Sequence, residues 1–249
     1  MNKQVICITG MHRSGTSLLA SWLFEQGLKM DVGGLVASAV GNKKGHFEDE
    51  EIMKFQAQLI KIAKPESKGW VVKDAIQVQG FKKGVQGILN KRESFNQWGW
   101  KDPRSVLLLN EWNTAVNDLK YIFIWREADA VINSLQKRKK RSKHPLDQIS
   151  LKHCYQTWLH YNKEIIDFYT KNPSNCVLIK LDDFLENDKK VFDYLTNAFE
   201  LNLNYKPLNT IVENTMFSEK TNNIIKKTYK FYFKPELVEA QLLQLSLSF

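Results

Sequence analysis

The segment Gly10-Met-His-Arg-Ser-Gly-Thr-Ser17 directly follows the apolar run Val5-Ile6-Cys7-Ile8 and directly precedes Leu18-Leu19-Ala20-Ser21-Trp22-Leu23. A buried strand, a glycine-bounded loop and a helix start in that order leave few folds open. The spacing is that of a phosphate-binding loop, G-x-x-x-x-G-K-[ST], in which backbone N–H groups at a helix N-terminus hold an anion. One position departs from it. The lysine slot holds Thr16, and the basic residues His12 and Arg13 come earlier in the loop. The side chain that would reach the β- and γ-phosphates of a nucleoside triphosphate is therefore replaced. The loop suits a nucleotide phosphate and suits ATP hydrolysis poorly. Ser14, Thr16 and Ser17 add hydroxyls to the first helical turn, where the same residue types also serve as N-caps.

The chain has 249 residues, enough for one α/β domain with a full core and short for two. With 43% hydrophobic and 25% charged residues it reads as a globular protein. No apolar run approaches the roughly 18–20 residues of a membrane-spanning helix. Met1 to Gln4 lead straight into the first core strand, with no signal-peptide pattern. Cys7, Cys154 and Cys176 lack metal-ligand spacing, and Cys7 and Cys176 fall in strands expected to be buried, so a reduced cytoplasmic setting is expected. The formal net charge of +9 favours an anionic ligand without naming it.

Continuous apolar runs predict buried parallel strands at Val5–Thr9, Gly99–Lys101, Tyr121–Trp125 and Cys176–Leu181, with a shorter one at Trp70–Lys73. Helical patterning follows the loop over Leu18–Gln26. It recurs on a face marked by Ile52, Phe55, Leu59, Ile60 and Ala63, and over Val106–Val116, Ala130–Lys137, Leu151–Tyr169 and Lys189–Phe199. The alternation predicts βαβ units with right-handed crossovers: an α/β single domain, a parallel β-sheet flanked by helices, P-loop NTPase-like. The tail over 205–249 is weakly patterned and is left without an assignment.

A second feature lies at Lys120-Tyr-Ile-Phe-Ile-Trp-Arg126, where a hydrophobic strand ends in a guanidinium and a helix carrying Ser134 follows. Ligands of open parallel sheets bind beyond the carboxyl ends of the strands, which puts Arg126 on the edge of the Gly10–Ser17 loop. A guanidinium and a hydroxyl suit a second phosphate. A surface pairing of Arg126 with Glu127 or Asp129 is the competing reading.

Together these residues resemble the sulfotransferase family that uses 3′-phosphoadenosine 5′-phosphosulfate. The resemblance rests on a loop with a basic residue just before Ser14-Gly15-Thr16, and on Arg126 with Ser134 after a later strand. Gly45-His-Phe-Glu-Asp49 and Gly99-Trp-Lys-Asp-Pro-Arg104 resemble its bacterial-type branch, members of which often modify glycans. The resemblance spans residues 5 to 200. It implies that His12, Arg13, Ser14, Gly15, Thr16 and Ser17 hold the 5′-phosphosulfate, and Arg126 and Ser134 the 3′-phosphate. It implies 3′,5′-ADP as product, no required metal, and a hydroxyl or amine acceptor, expected to be a carbohydrate or glycan. The Arg-Lys-Gly-x-x-Gly segment that closes over the nucleotide in cytosolic members has no counterpart. The tail offers Lys220, Lys226 and Lys227 in its place.

Sulfuryl transfer by in-line attack relies on positioning and on stabilising charge at the leaving oxygen. Arg13 stands where the family usually has a lysine on that oxygen, and its permanent charge serves the electrostatic task but not proton donation. Glu48 is the candidate base by resemblance, with His46 second because imidazole titrates near neutrality. The competing reading makes Glu48, Asp49, Glu50 and Glu51 a dipole-complementing helix start. Lys101, Asp102 and Arg104 surround Pro103 at a strand-to-helix turn. Lys101 and Arg104 are expected to meet the sulfuryl group or an anionic acceptor and Asp102 to orient one of them; the alternative is an internal ion-pair cluster.

The basic run from Lys137 to His144 reads as a solvated helix end, with peripheral membrane contact as a second use. No nucleic-acid-binding signature accompanies it. Trp98, Trp100 and Trp112 are expected to pack in the core rather than stack on a ligand. A P-loop kinase or NTPase, and a non-catalytic nucleotide-binding module, are the alternatives to a sulfotransferase.

Overall fold

A computed structural model describes residues 3–30, 32, 34–36, 47–211 and 224–248, the first three of these last by backbone alone. Four strands, β1 (Gln4–Thr9), β2 (Gln97–Lys101), β3 (Lys120–Trp125) and β4 (Cys176–Lys180), form one sheet. The order is β2-β1-β3-β4 and every pairing is parallel. All four strands predicted from continuous apolar runs are present within two residues of their expected bounds. The strands are buried on both faces, as such runs require.

Alternate residues divide between two cores. Val5, Cys7, Tyr121, Phe123, Trp125, Cys176 and Leu178 point to one face and Ile6, Ile8, Ile122, Ile124, Val177 and Ile179 to the other. The first face packs against α2 (Glu50–Ala63), α3 (Phe81–Asn90), α4 (Leu109–Ala115), α5 (Ala128–Arg141) and α6 (Leu151–Lys171). The second packs against α1 (Thr16–Glu25), α7 (Leu181–Glu186) and α8 (Asp188–Ala198). Helices on both faces of a parallel sheet make the expected three layers. Cys7, Cys154 and Cys176 are buried free thiols.

Three expectations change. Trp70–Lys73 is not a strand: its amides turn back locally, Trp70 and Val71 N–H both donating to Ser67 O, while Trp70 and Val72 fill the first core. Apolar content there serves burial, not pairing. Val106–Val116 is not one helix, because Pro103–Leu108 winds as a 3-10 turn before α4 begins. The unassigned tail contains α9 (Ile224–Phe233) and α10 (Pro235–Leu245). Tyr229 and Phe233 stack on Tyr155 of α6, and Leu242 is buried in the first core. No described helix is long and apolar enough to cross a membrane.

Candidate active site

From β1 the chain runs to β2 on one side and then to β3 on the other, so the β1–β3 boundary is a topological switch point. The loop Gly10–Ser17 and the residue Arg126 both emerge there, at the carboxyl ends of neighbouring strands, where open α/β sheets bind ligands.

Two glycines let the loop lie against the sheet. A Cβ on Gly10 (φ 155°) would stand 2.1 Å from Ile124 O, and one on Gly15 (φ 98°) 2.7 Å from Leu181 Cδ1. Arg13 also takes a left-handed conformation, at φ 73°. Alternation of this kind turns successive N–H groups toward one point. Gly15 is the N-cap of α1 and gives it no side-chain cap, so Ser14, Thr16 and Ser17 do not serve as the caps their residue types suggest. Ser14 Oγ is fully buried with no hydrogen-bond partner. The first-turn amides therefore lack the side-chain oxygen that Asp49 gives α2 and Ser150 gives α6.

Arg13 Nε donates to Ser134 Oγ at 2.9 Å, joining residues that the resemblance assigns to different phosphates. Ser134 sits two turns into α5, and Arg138 one turn further on the same face. Arg138 Nε lies 2.7 Å from Asp147 Oδ1, but off the N–H direction, so the contact is ionic and the N–H is left without a hydrogen bond. Burial holds the Arg13 guanidinium below its ordinary pKa, and the neighbouring Arg138 and Arg126 charges push the same way. Three guanidiniums thus share one neighbourhood, a strong invitation to a polyanion. Of the acids offered above as surface partners of Arg126, Asp129 pairs with Lys230 (2.9 Å), while Glu127 lies 3.4 Å from Lys180 and, with Asp182, also acts electrostatically on Arg126.

Beside the loop, Thr9 Oγ1 donates to Asp102 O at 2.8 Å and ties the exit of β1 to the turn after β2. Lys101, 1% exposed, donates to Glu48 Oε1 at 2.9 Å, and Arg104 approaches Glu48 Oε2 at 3.7 Å. Asp102 lies beneath them: Oδ1 accepts from the Arg104 amide (2.8 Å) and guanidinium (3.0 Å), Oδ2 from Gln56 (2.9 Å). Burial pushes the Asp102 carboxyl up to about 6, Arg104 resisting and Glu48 reinforcing. Both of its oxygens are engaged, which holds the Arg104 side chain in place. The turn after β2 is thus an ion-pair cluster that also opens on the ligand edge. Trp98, Trp100 and Trp112 are core residues, as expected.

His12, Arg13, Glu48, Trp70, Arg104 and Arg138 converge on a cavity of about 140 Å³. His12 packs on Trp70 with ring centroids 4.6 Å apart, and its Nε2 is buried without a partner. Burial lowers its pKa well below the ordinary imidazole value, and Arg104, Lys101, Arg138 and Arg13 lower it further. At neutral pH it is an uncharged ring among cations. His46, the second candidate base, and Lys220 lie outside the described residues, as does the side chain of Lys226; Lys227 is exposed.

Sequence reasoning read Arg138 within a solvated basic run and did not place it at the cavity, which it lines while still partly exposed. Its i, i+4 spacing from Ser134 was the available signal. It also filed His12 with the phosphate contacts rather than with the acid–base groups. Nothing in the sequence marks Trp70 as the wall His12 packs on.

Sequence comparison matches neither a family model nor a curated relative. Structural comparison does find neighbours. The sulfotransferase domain from the curacin biosynthetic pathway superposes with a TM-score of 0.52 at 12% identity, over 100% of this chain and 93% of that one. The sulfotransferase domain of the Synechococcus PCC 7002 olefin synthase does so with 0.51 at 15%, over 98% and 93%. The chain has the fold of these sulfotransferase domains.

Proposed function

We propose that the protein is a sulfotransferase that moves a sulfuryl group from 3′-phosphoadenosine 5′-phosphosulfate to a hydroxyl or amine of an acceptor, a carbohydrate or glycan hydroxyl being the leading candidate. The observation that carries the reading is that four of the eight buried side-chain atoms without a hydrogen bond among the described residues, Ser14 Oγ, His12 Nε2, Arg104 Nε and Arg138 Nε (the last in ionic contact with Asp147), lie together on the loop and in the cavity beside it. Buried polar groups are normally satisfied, so their concentration at one edge marks a place built for polar ligands. The donor set fits the two-phosphate donor. Arg13, Ser14, Gly15, Thr16 and Ser17 would hold the 5′-phosphosulfate; Arg126, Ser134 and the newly found Arg138 would hold the 3′-phosphate.

When bound, that donor supplies the sulfuryl group and a phosphate leaving group. This chain's residues supply position and charge. Arg13 is held by its hydrogen bond to Ser134 and would supply charge to the leaving oxygen, a contact whose removal costs on the order of 100-fold in turnover. Lys101 and Arg104 are held in place by Glu48 and Asp102, so their charges are preorganised rather than recruited. Glu48 in this arrangement is a carboxylate compensated by two cations, which weakens it as a proton acceptor.

The direct test is transfer of radiolabelled sulfate from the donor to a panel of neutral and acidic sugars, with Arg13→Ala alongside. Labelled product that depends on Arg13 supports the reading. A panel extended to phenols and alkyl alcohols that yields none, in protein that binds the donor, supports the non-catalytic module instead.

A further inference from the structure

His12 is the polar group of the cavity that the account above leaves without a task. Its ring is clamped, with Trp70 packed on it and Tyr161 edge-on at 6.0 Å. Tyr161 is itself fixed by donating to Trp70 O at 2.8 Å. The imidazole therefore cannot readily swing away, and Nε2 remains buried at the cavity with nothing to bind. Every charged group around it is accounted for. Arg13 comes from the loop, Lys101, Asp102 and Arg104 from the turn after β2, Glu48 from the start of α2, Arg138 from α5 and Asp147 from the segment that follows α5. Both acids lining the cavity are already committed, Glu48 to Lys101 and Arg104, Asp147 to Arg138. The cations thus outweigh them.

Burial first, and these charges beside it, disfavour a positive imidazolium, so one ring nitrogen of His12 keeps a lone pair rather than a second N–H. An anionic ligand among the arginines relieves the charge part of this opposition, while burial continues to act. Little further desolvation opposes this, since the ring is buried beforehand.

We propose that His12 Nε2 takes the proton of the acceptor group, and that anion binding among Arg13, Arg104 and Arg138 is what makes it able to do so. The inference rests on the sulfotransferase reading. In the step it describes, the acceptor oxygen forms a bond to sulfur and the sulfur–oxygen bond to the phosphate breaks. The bonding pair leaves on the phosphate of 3′,5′-ADP, and the acceptor's proton moves to the Nε2 lone pair. His12 becomes an imidazolium facing the newly charged product and returns its proton to solvent after release. Base strength is then coupled to donor loading: a loaded protein can deprotonate an acceptor, and an unloaded one cannot.

The test needs no acceptor. The full chain, labelled with ¹⁵N-histidine, is titrated by NMR between about pH 5 and 8 with and without saturating 3′,5′-ADP. His12→Gln identifies the His12 signal among the five histidines. The expected result is a neutral His12 with an unprotonated Nε2 in the free protein, and a pKa that rises by about one unit or more on binding, a tenfold gain in proton affinity. A neutral form carrying its hydrogen on Nε2 overturns the proposal, and so does an unmoved pKa when other signals show the nucleotide bound. If no signal responds to 3′,5′-ADP, the sulfotransferase reading has failed and the proposal falls with it.

Discussion

Glu48 and Asp49 are neighbours in sequence and belong to two different kinds of charge cluster. Asp49 faces inward. Its Oδ1 caps α2 by accepting from the amides of Glu51 and Ile52 at 3.1 Å, and its Oδ2 meets Arg92 at 2.5 Å. Arg92 is further tied to Glu51 (3.1 Å) and to Ile88 O (2.6 Å) and lies over the Trp98 ring, with Nε alone left unbonded. Glu48 faces the cavity, where cations outnumber acids and several N–H, O–H and lone-pair positions have no partner. Apart from Arg92 Nε, the first cluster is closed on itself and holds the fold. The second is held from behind and lines a cavity in front, and that asymmetry separates the proposed site from a brace.

Variants on the two sides should part accordingly. The largest expected effect is on the brace: Arg92→Ala strands Asp49 in the core and should cost roughly 3–5 kcal/mol in a urea unfolding curve, with 3′,5′-ADP affinity kept in the folded fraction. Arg13→Ala should do the converse, lowering turnover on the order of 100-fold with a melting temperature close to that of the parent. A large loss of stability from Arg13→Ala would break the comparison.

A pH experiment comes next. The Asp102 carboxyl is raised in the folded state to about 6 from an ordinary 3.8, so the folded protein binds the extra proton between those values. Stability from this group therefore rises as pH falls from about 6 toward 4, by on the order of 1–2 kcal/mol. Asp102→Asn should flatten that part of the stability–pH curve, and an unchanged curve would show that Asp102 is not strained by its burial. The smallest effects sharpen the assignment of the basic run. Arg138→Ala should weaken 3′,5′-ADP binding about tenfold, the size of one charge-assisted contact, while the exposed Lys140→Ala should leave it unchanged. Equal losses would return Arg138 to the solvated helix end.

The contrast also explains what could be read in advance. Strand–loop–helix at residues 5 to 23 is local, and so was legible; the same holds for Arg126 at a strand end and for Ser134 two turns into the next helix. The buried strands were legible because an apolar run of that length has few other uses. Trp70–Lys73 misled because a run bound for the core looks the same whether or not it pairs with a strand. The tail was left unassigned although α9 is amphipathic; that its aromatic face stacks on Tyr155 of a distant helix is what no local pattern carries. For Glu48 and Asp49 the sequence offers two adjacent acids at a helix start. Which one is a cap and which one meets Lys101 depends on strand β2, about 50 residues downstream, and no local pattern carries it.

The measurement that bears most directly on the central claim is calorimetric titration with 3′,5′-ADP, 5′-AMP, and ATP with and without Mg²⁺. The account predicts a strong preference for 3′,5′-ADP that does not depend on metal, because Arg126, Ser134 and Arg138 would form the second phosphate site. A magnesium-dependent preference for ATP would contradict it and make the loop that of a kinase or NTPase.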